Sequence, residues 1–136
     1  MIRPRGDDGN SVVDFTLVSV LVITLFLVVM QVAVVLHNRN VMVAAAAEGA
    51  RYAANADRVP SDGVERTREL LAETFSEKRV DEMQVTLGQS GDEAGLETVE
   101  VVVEGPLPTL FFPVGPLRVT VRGHALEESR LGGAAV

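Results

Sequence analysis

Hydrophobic and polar positions follow three different rhythms along the chain. From Phe15 to Leu36 no charged residue occurs, and only Thr16, Ser19, Thr24 and Gln31 interrupt an apolar run of 22 residues. As a helix that run spans about 33 Å, close to the hydrocarbon thickness of a bilayer. An amphipathic helix of a water-soluble protein has a polar face, and this segment has none. The run also exceeds the usual apolar core of a secretory signal peptide, and it passes into His37-Asn38-Arg39-Asn40 rather than a small-residue exit. The pattern predicts a transmembrane helix.

The second rhythm is helical. Val43, Ala46, Ala47, Ala50, Ala53 and Ala54 recur at three- and four-residue spacing. They continue the helix past the membrane with a stripe of small side chains. Two uses of that stripe stand side by side: packing on the protein's own sheet, or packing against the helix of another subunit. Gly49 inside it costs about 1 kcal/mol relative to alanine, a cost that close packing offsets. The stretch Asn55–Pro60 ends this helix, because proline disfavours helical backbone at Val59. Asp62-Gly63-Val64-Glu65 then reads as a capping box with Asp62 as the cap. Val64, Thr67, Leu71, Thr74 and Phe75 mark the apolar face of a second helix, with Glu65, Arg66, Arg68, Glu69, Glu73 and Glu77 as its polar neighbours.

The third rhythm has period two. Met83–Gln89, Thr98–Glu104 and Leu117–His124 alternate apolar and polar positions, which predicts strands of an antiparallel sheet buried on one side. Glu100 or Glu104 opposite Arg118 or Arg122 gives favourable cross-strand pairs. The expected cover for the apolar side is the second helix and the outer end of the long one. Residues 90–95 read as a turn. Between the last two strands, residues 105–116 hold four prolines, which bar a central strand, together with Leu107, Leu110, Phe111 and Phe112. That loop either plugs the core or touches the membrane surface or a neighbour.

The fold class is therefore α+β. A long N-terminal transmembrane helix continues into a small soluble domain with one further helix and about three antiparallel strands. The expected division is a leader over 1–9, the transmembrane helix over 10–36, a helical extension over 37–59, the α+β domain over 60–126 and a flexible tail over 127–136.

Composition narrows the function. The chain of 136 residues has no cysteine and a formal net charge of -7, so disulfides and thiolate metal sites are excluded. Its cations form no stripe, which argues against nucleic-acid binding. His37 and His124 are the only histidines and lie far apart in the sequence. No H-E-x-x-H, P-loop, G-x-S-x-G or C-x-x-C motif is present, so the expectation is a non-enzymatic protein without cofactor or metal.

The informative stretch is Gly9-Asn10-Ser11-Val12-Val13-Asp14-Phe15, which leads straight into the apolar run. It resembles the processing site of type IV prepilins. The resemblance implies that a membrane prepilin peptidase cuts the Gly9–Asn10 bond and leaves the hydrophobic helix on the mature chain. It also implies that Asp14, beside Phe15, pairs with the free amino terminus of an adjacent subunit and sets axial register. Prepilins usually carry Glu there, so Asp14 is one methylene shorter. Past the helix, Ala47-Glu48-Gly49-Ala50-Arg51-Tyr52-Ala53-Ala54 is similar to the E-G-A-R-x-A-A segment of TadE-like proteins. Members of that family are minor pilin-like components of the Tad, or tight-adherence, pilus and secretion system. The resemblance covers about residues 9 to 55 and singles out Glu48, Gly49, Ala50 and Arg51. It implies a cytoplasmic leader, an exported C-terminal domain, and the membrane, the prepilin peptidase and other pilin-like subunits as partners. Loop charges alone leave the orientation open. The alternative reading is a single-pass anchored surface-binding module that is never processed.

Overall fold

A computed structural model describes residues 7–55, 59–91, 97–107 and 118–126. One helix, α1 (Asp7–Ala54), takes up 48 residues and extends about 72 Å. It starts inside the expected leader and runs unbroken through the apolar segment and the extension. The expected leader at residues 1–6, the expected tail at 127–136, most of the turn and most of the Pro-rich loop lie outside the described residues. Two helices follow, α2 (Pro60–Thr74) and α3 (Glu77–Asp81), and then β1 (Gln84–Gly91), β2 (Glu97–Pro106) and β3 (Arg118–Leu126). The strands form an antiparallel meander in the order β1-β2-β3.

The start of α2 corrects the expected capping box. Val59, extended at φ -85 and ψ 134, is the N-cap, and no side chain caps the helix. Pro60 opens it, since its fixed φ suits the first helical position and the missing N–H loses nothing there. Asp62 lies inside the first turn, where a carboxylate favours the helix dipole. The far end also differs from expectation. Phe75 turns extended and its N–H donates to the Leu71 carbonyl at 2.8 Å, so Glu77 belongs to the short α3 rather than to α2.

The core lies where α1, α2 and one face of the sheet meet. Met42, Leu71, Val101 and Val103 are its largest fully buried apolar side chains. Each contributes about 1.5–3 kcal/mol by leaving water. On β2, Val99, Val101 and Val103 point inward, while Thr98, Glu100, Val102 and Glu104 are half-buried on the outer face. Both predicted cross-strand pairs form. Arg118 Nη1 stands 3.4 Å from Glu104 Oε1, and Arg122 Nε stands 3.4 Å from Glu100 Oε1. The register makes them diagonal, since Glu104 faces Thr120 and Glu100 faces His124.

The head has a clear axial direction. Val99, early in β2, packs with Ala53 and Ala54, whereas a Cβ on Gly105, late in β2, would lie 3.6 Å from Met42 Cε. Strand β2 therefore runs antiparallel to α1, and β3 runs parallel to it. The β2–β3 connection leaves the sheet at the end nearer the apolar run.

Candidate assembly helix and processing segment

Helix α1 changes character along its length. From Val12 to Leu36 most of its large apolar side chains face outward, with Phe15 at 74%, Leu21 at 68% and Phe26 at 62% exposure. A core helix of a water-soluble domain would bury them. The described part of this helix is long and apolar enough to cross a membrane. Its interrupting hydroxyls suit lipid: Thr16 donates to the Val12 carbonyl and Thr24 to the Val20 carbonyl, both at 2.8 Å. Each removes an unsatisfied polar group that hydrocarbon would penalise.

The last third of α1 is core. Met42, Ala45, Ala46, Gly49, Ala50, Ala53 and Ala54 are buried, so the small-residue stripe serves the protein's own fold. Gly49 and Gly63 are where α1 and α2 touch most closely. A Cβ on Gly49 would collide with Thr67 Oγ1 and lie 2.7 Å from the Gly63 carbonyl oxygen. A Cβ on Gly63 would lie 2.5 Å from the Gly49 carbonyl oxygen and from Ala53 Cβ. Thr67, fully buried, satisfies its hydroxyl by donating to the Gly63 carbonyl at 2.8 Å. On the sheet side, a Cβ on Gly123 would strike the α1 backbone at Ala46 and Ala47. Val43 and Ala47 lie at the margin of this face, only partly buried.

The singled-out segment thus divides by side. Gly49 and Ala50 face inward, while Glu48 and Arg51 face outward and form a 3.9 Å ion pair. They line an open groove between α1 and α2 together with Val41, Ala44, Ala47 and Leu70. Sequence reading missed Gly63 and Gly123 as contact-making residues. The available signal was glycine in the interior of a helix and of a strand, where it is costly unless a neighbour must come close.

At the other end, Gly9 and Asn10 lie in helical backbone near the start of α1. Asp14 is exposed, one helical turn beyond Asn10, and forms no ion pair with a described residue. Phe15 beside it is exposed as well. The processing residues and the Glu48–Arg51 segment thus occupy opposite ends of one rod and do not form a joint site. Among the described residues no group of His, Cys, Asp or Glu is arranged to hold a metal ion. Arg66, bonded to Glu69 at 2.9 Å on the surface of α2, has its pKa raised by that hydrogen bond and stays charged.

A single apolar helix becomes the spine of a small α+β head, so the apolar run and the core belong to one element. Residues 9–51 match the family model described as TadE-like protein. The match begins at Gly9 and ends at Arg51, so the contacts of α2 and the sheet lie beyond it. No curated protein and no solved structure matches the chain.

Proposed function

We propose that this chain is a non-enzymatic, pilin-like structural subunit of a Tad-type pilus assembly and secretion apparatus. In this reading it is a single-pass protein with its leader in the cytoplasm and its head exported. A prepilin peptidase cuts after Gly9, and the mature subunit, starting at Asn10, assembles through α1 with other pilin-like subunits. The observation that supports it best is the division of α1 into an outward-facing apolar length and a buried length that carries the head. Such a rod stays in the membrane by one part and moves the head rigidly with it.

The bond after Gly9 suits cleavage. Glycine gives close access to the backbone. After cleavage the Asn10 amine and the Asp14 carboxylate are four residues apart, on one side of the helix. In this reading Asp14 meets an amine at the membrane boundary, that of an adjacent subunit. A carboxylate at that boundary is costly until it is paired.

N-terminal sequencing of the protein from a strain with active prepilin peptidase tests this reading. A mature chain starting at Asn10 is expected, and Gly9→Leu is expected to keep residues 1–9 attached. Retention of Met1–Gly9 in the wild-type chain would instead establish the unprocessed, anchored binding module.

A further inference from the structure

The head leaves one side of α1 open. Its core takes the side of Met42, Ala46, Gly49 and Ala53, all buried. At 100° per residue the opposite side carries Ala33, His37, Asn40, Ala44, Glu48 and Arg51, all within about 40° of Ala44. All six are exposed. The side is therefore open from inside the apolar run to the level of the head. At its upper end it becomes the groove between α1 and α2, where the half-exposed Val41 and Leu70 add apolar surface.

The polar groups on this side do little for the fold. Glu48 and Arg51 meet at 3.9 Å with side chains 51% and 75% exposed, and a pair so solvated adds little stability. Arg66, across the groove, is bonded to Glu69 and only senses the charge of Glu48. His37 and Asn40 have no hydrogen-bond partner among the described residues. At the edge of a bilayer, such side chains associate helices by bonding to one another.

The order of the charges says which helix fits. With the apolar run in lipid, the α1 helices of two copies are parallel. A two-fold axis along the open side sets each residue beside its own copy and keeps both sheets on the outside. A strip of one sign would then repel itself. Here an acid and a base stand one turn apart, so Glu48 of each copy lies beside Arg51 of the other, and two crossed pairs form. Ala44 lies one turn below, small enough for the backbones to come close, and Ala33 repeats it three turns lower.

We infer that the partner on this side of α1 is a second copy of the chain, paired in parallel through Ala33, Ala44, Glu48 and Arg51. The inference rests on the membrane-anchored reading and names the partner of that helix; it does not depend on cleavage after Gly9.

The chain has no cysteine, so single introduced cysteines report on a two-fold contact without background. A disulfide needs Cα atoms within about 7 Å, so only residues near the axis link to their own copies. The full-length protein, in membranes free of other pilus subunits, carries Ala33→Cys or Ala44→Cys. Val32→Cys, on another side of α1, and Thr120→Cys, on the outer sheet face, are the controls. After mild oxidation, linked dimers are expected several-fold above the controls at both alanines. In the Ala44→Cys background, Glu48→Arg or Arg51→Glu should each lower the yield several-fold, and the two together should restore it. Gly9→Leu should change nothing, which separates this test from that of processing. Dimers no more abundant than in the controls would overturn the inference. So would single charge reversals without effect, or a double reversal that restores nothing.

Discussion

At the scale of single residues, the head is held by positions that have no side chain. Gly49 and Gly63 bring two helix backbones together, and Gly123 lets β3 lie on α1. A methyl group at Gly49 meets Thr67 Oγ1, which has room to rotate only by giving up its bond to Gly63, and the Gly63 carbonyl, which is backbone. Gly49→Ala therefore gains helix propensity of about 1 kcal/mol but forces the helices apart, and overpacking of this kind costs about 1–3 kcal/mol. The expected net result is a less stable head, with a larger loss for Gly49→Val. Thermal unfolding of the detergent-solubilised protein measures it, and an unchanged midpoint for Gly49→Val would refute the close crossing. Asp14 acts at the same scale but on assembly. Asp14→Ala should insert normally and enter the apparatus poorly, while Asp14→Glu, the usual prepilin residue, should retain incorporation. Equal incorporation of Asp14→Ala would remove the register role.

At the scale of elements, the two diagonal ion pairs on the outer sheet face differ in burial. The Glu104 side chain is 41% exposed and that of Glu100 only 16%. Arg122 Nε lies near Glu100 Oε1 without hydrogen-bond alignment, so that buried oxygen accepts no hydrogen bond. Removing the partner of a shielded carboxylate costs more than removing that of a solvated one. Arg118→Ala should thus change stability by about 0–1 kcal/mol. Arg122→Ala should cost clearly more, and Glu100→Gln introduced with it should recover part of the loss. Chemical denaturation of the three variants gives the order, and equal losses for the two arginines would contradict it.

Most of the elements were legible because their periods are pure. Val99, Val101 and Val103 alternate against a face that is polar except for Val102, and the small-residue stripe from Val43 to Ala54 holds its spacing through about three turns. The cap of α2 was misread because Asp62 and Glu65 imitate a capping box, while Pro60 two residues earlier starts the helix by geometry alone. The break after Thr74 was hidden as well. Glu77 continues the polar spacing of α2, and the break is visible only in the extended backbone of Phe75. The stripe left two uses open because small side chains suit both. Periodicity gives the side that is covered and says nothing of what covers it, and tertiary contacts with Thr67 and Gly123 supplied that answer.

At the scale of the whole molecule, anchor and head are continuous. With Phe15–Leu36 in lipid, six residues and about 9 Å separate the end of the span from Met42, the first fully buried core residue. Under the proposed anchoring the head would rest close to the bilayer surface, with α1 and the sheet in close contact at Ala46 and Gly123. One side of the outer part of α1 is occupied by the head. In the proposed assembly a neighbouring subunit takes another side, where Ala33 and Ala44 are exposed and Ala44 opens onto the groove lined by Val41, Glu48, Arg51 and Leu70. Small side chains there permit close approach of another helix, the usual means of helix association in lipid, where burial of apolar surface supplies no drive. Ala33→Leu and Ala44→Leu should thus leave head stability within about 0.5 kcal/mol of wild type, as exposed substitutions do. They should still lower incorporation into the apparatus, measured as the fraction of mature protein recovered with the other subunits. Full incorporation of both variants would move the subunit contact to another face of the helix and leave the groove without a role in assembly.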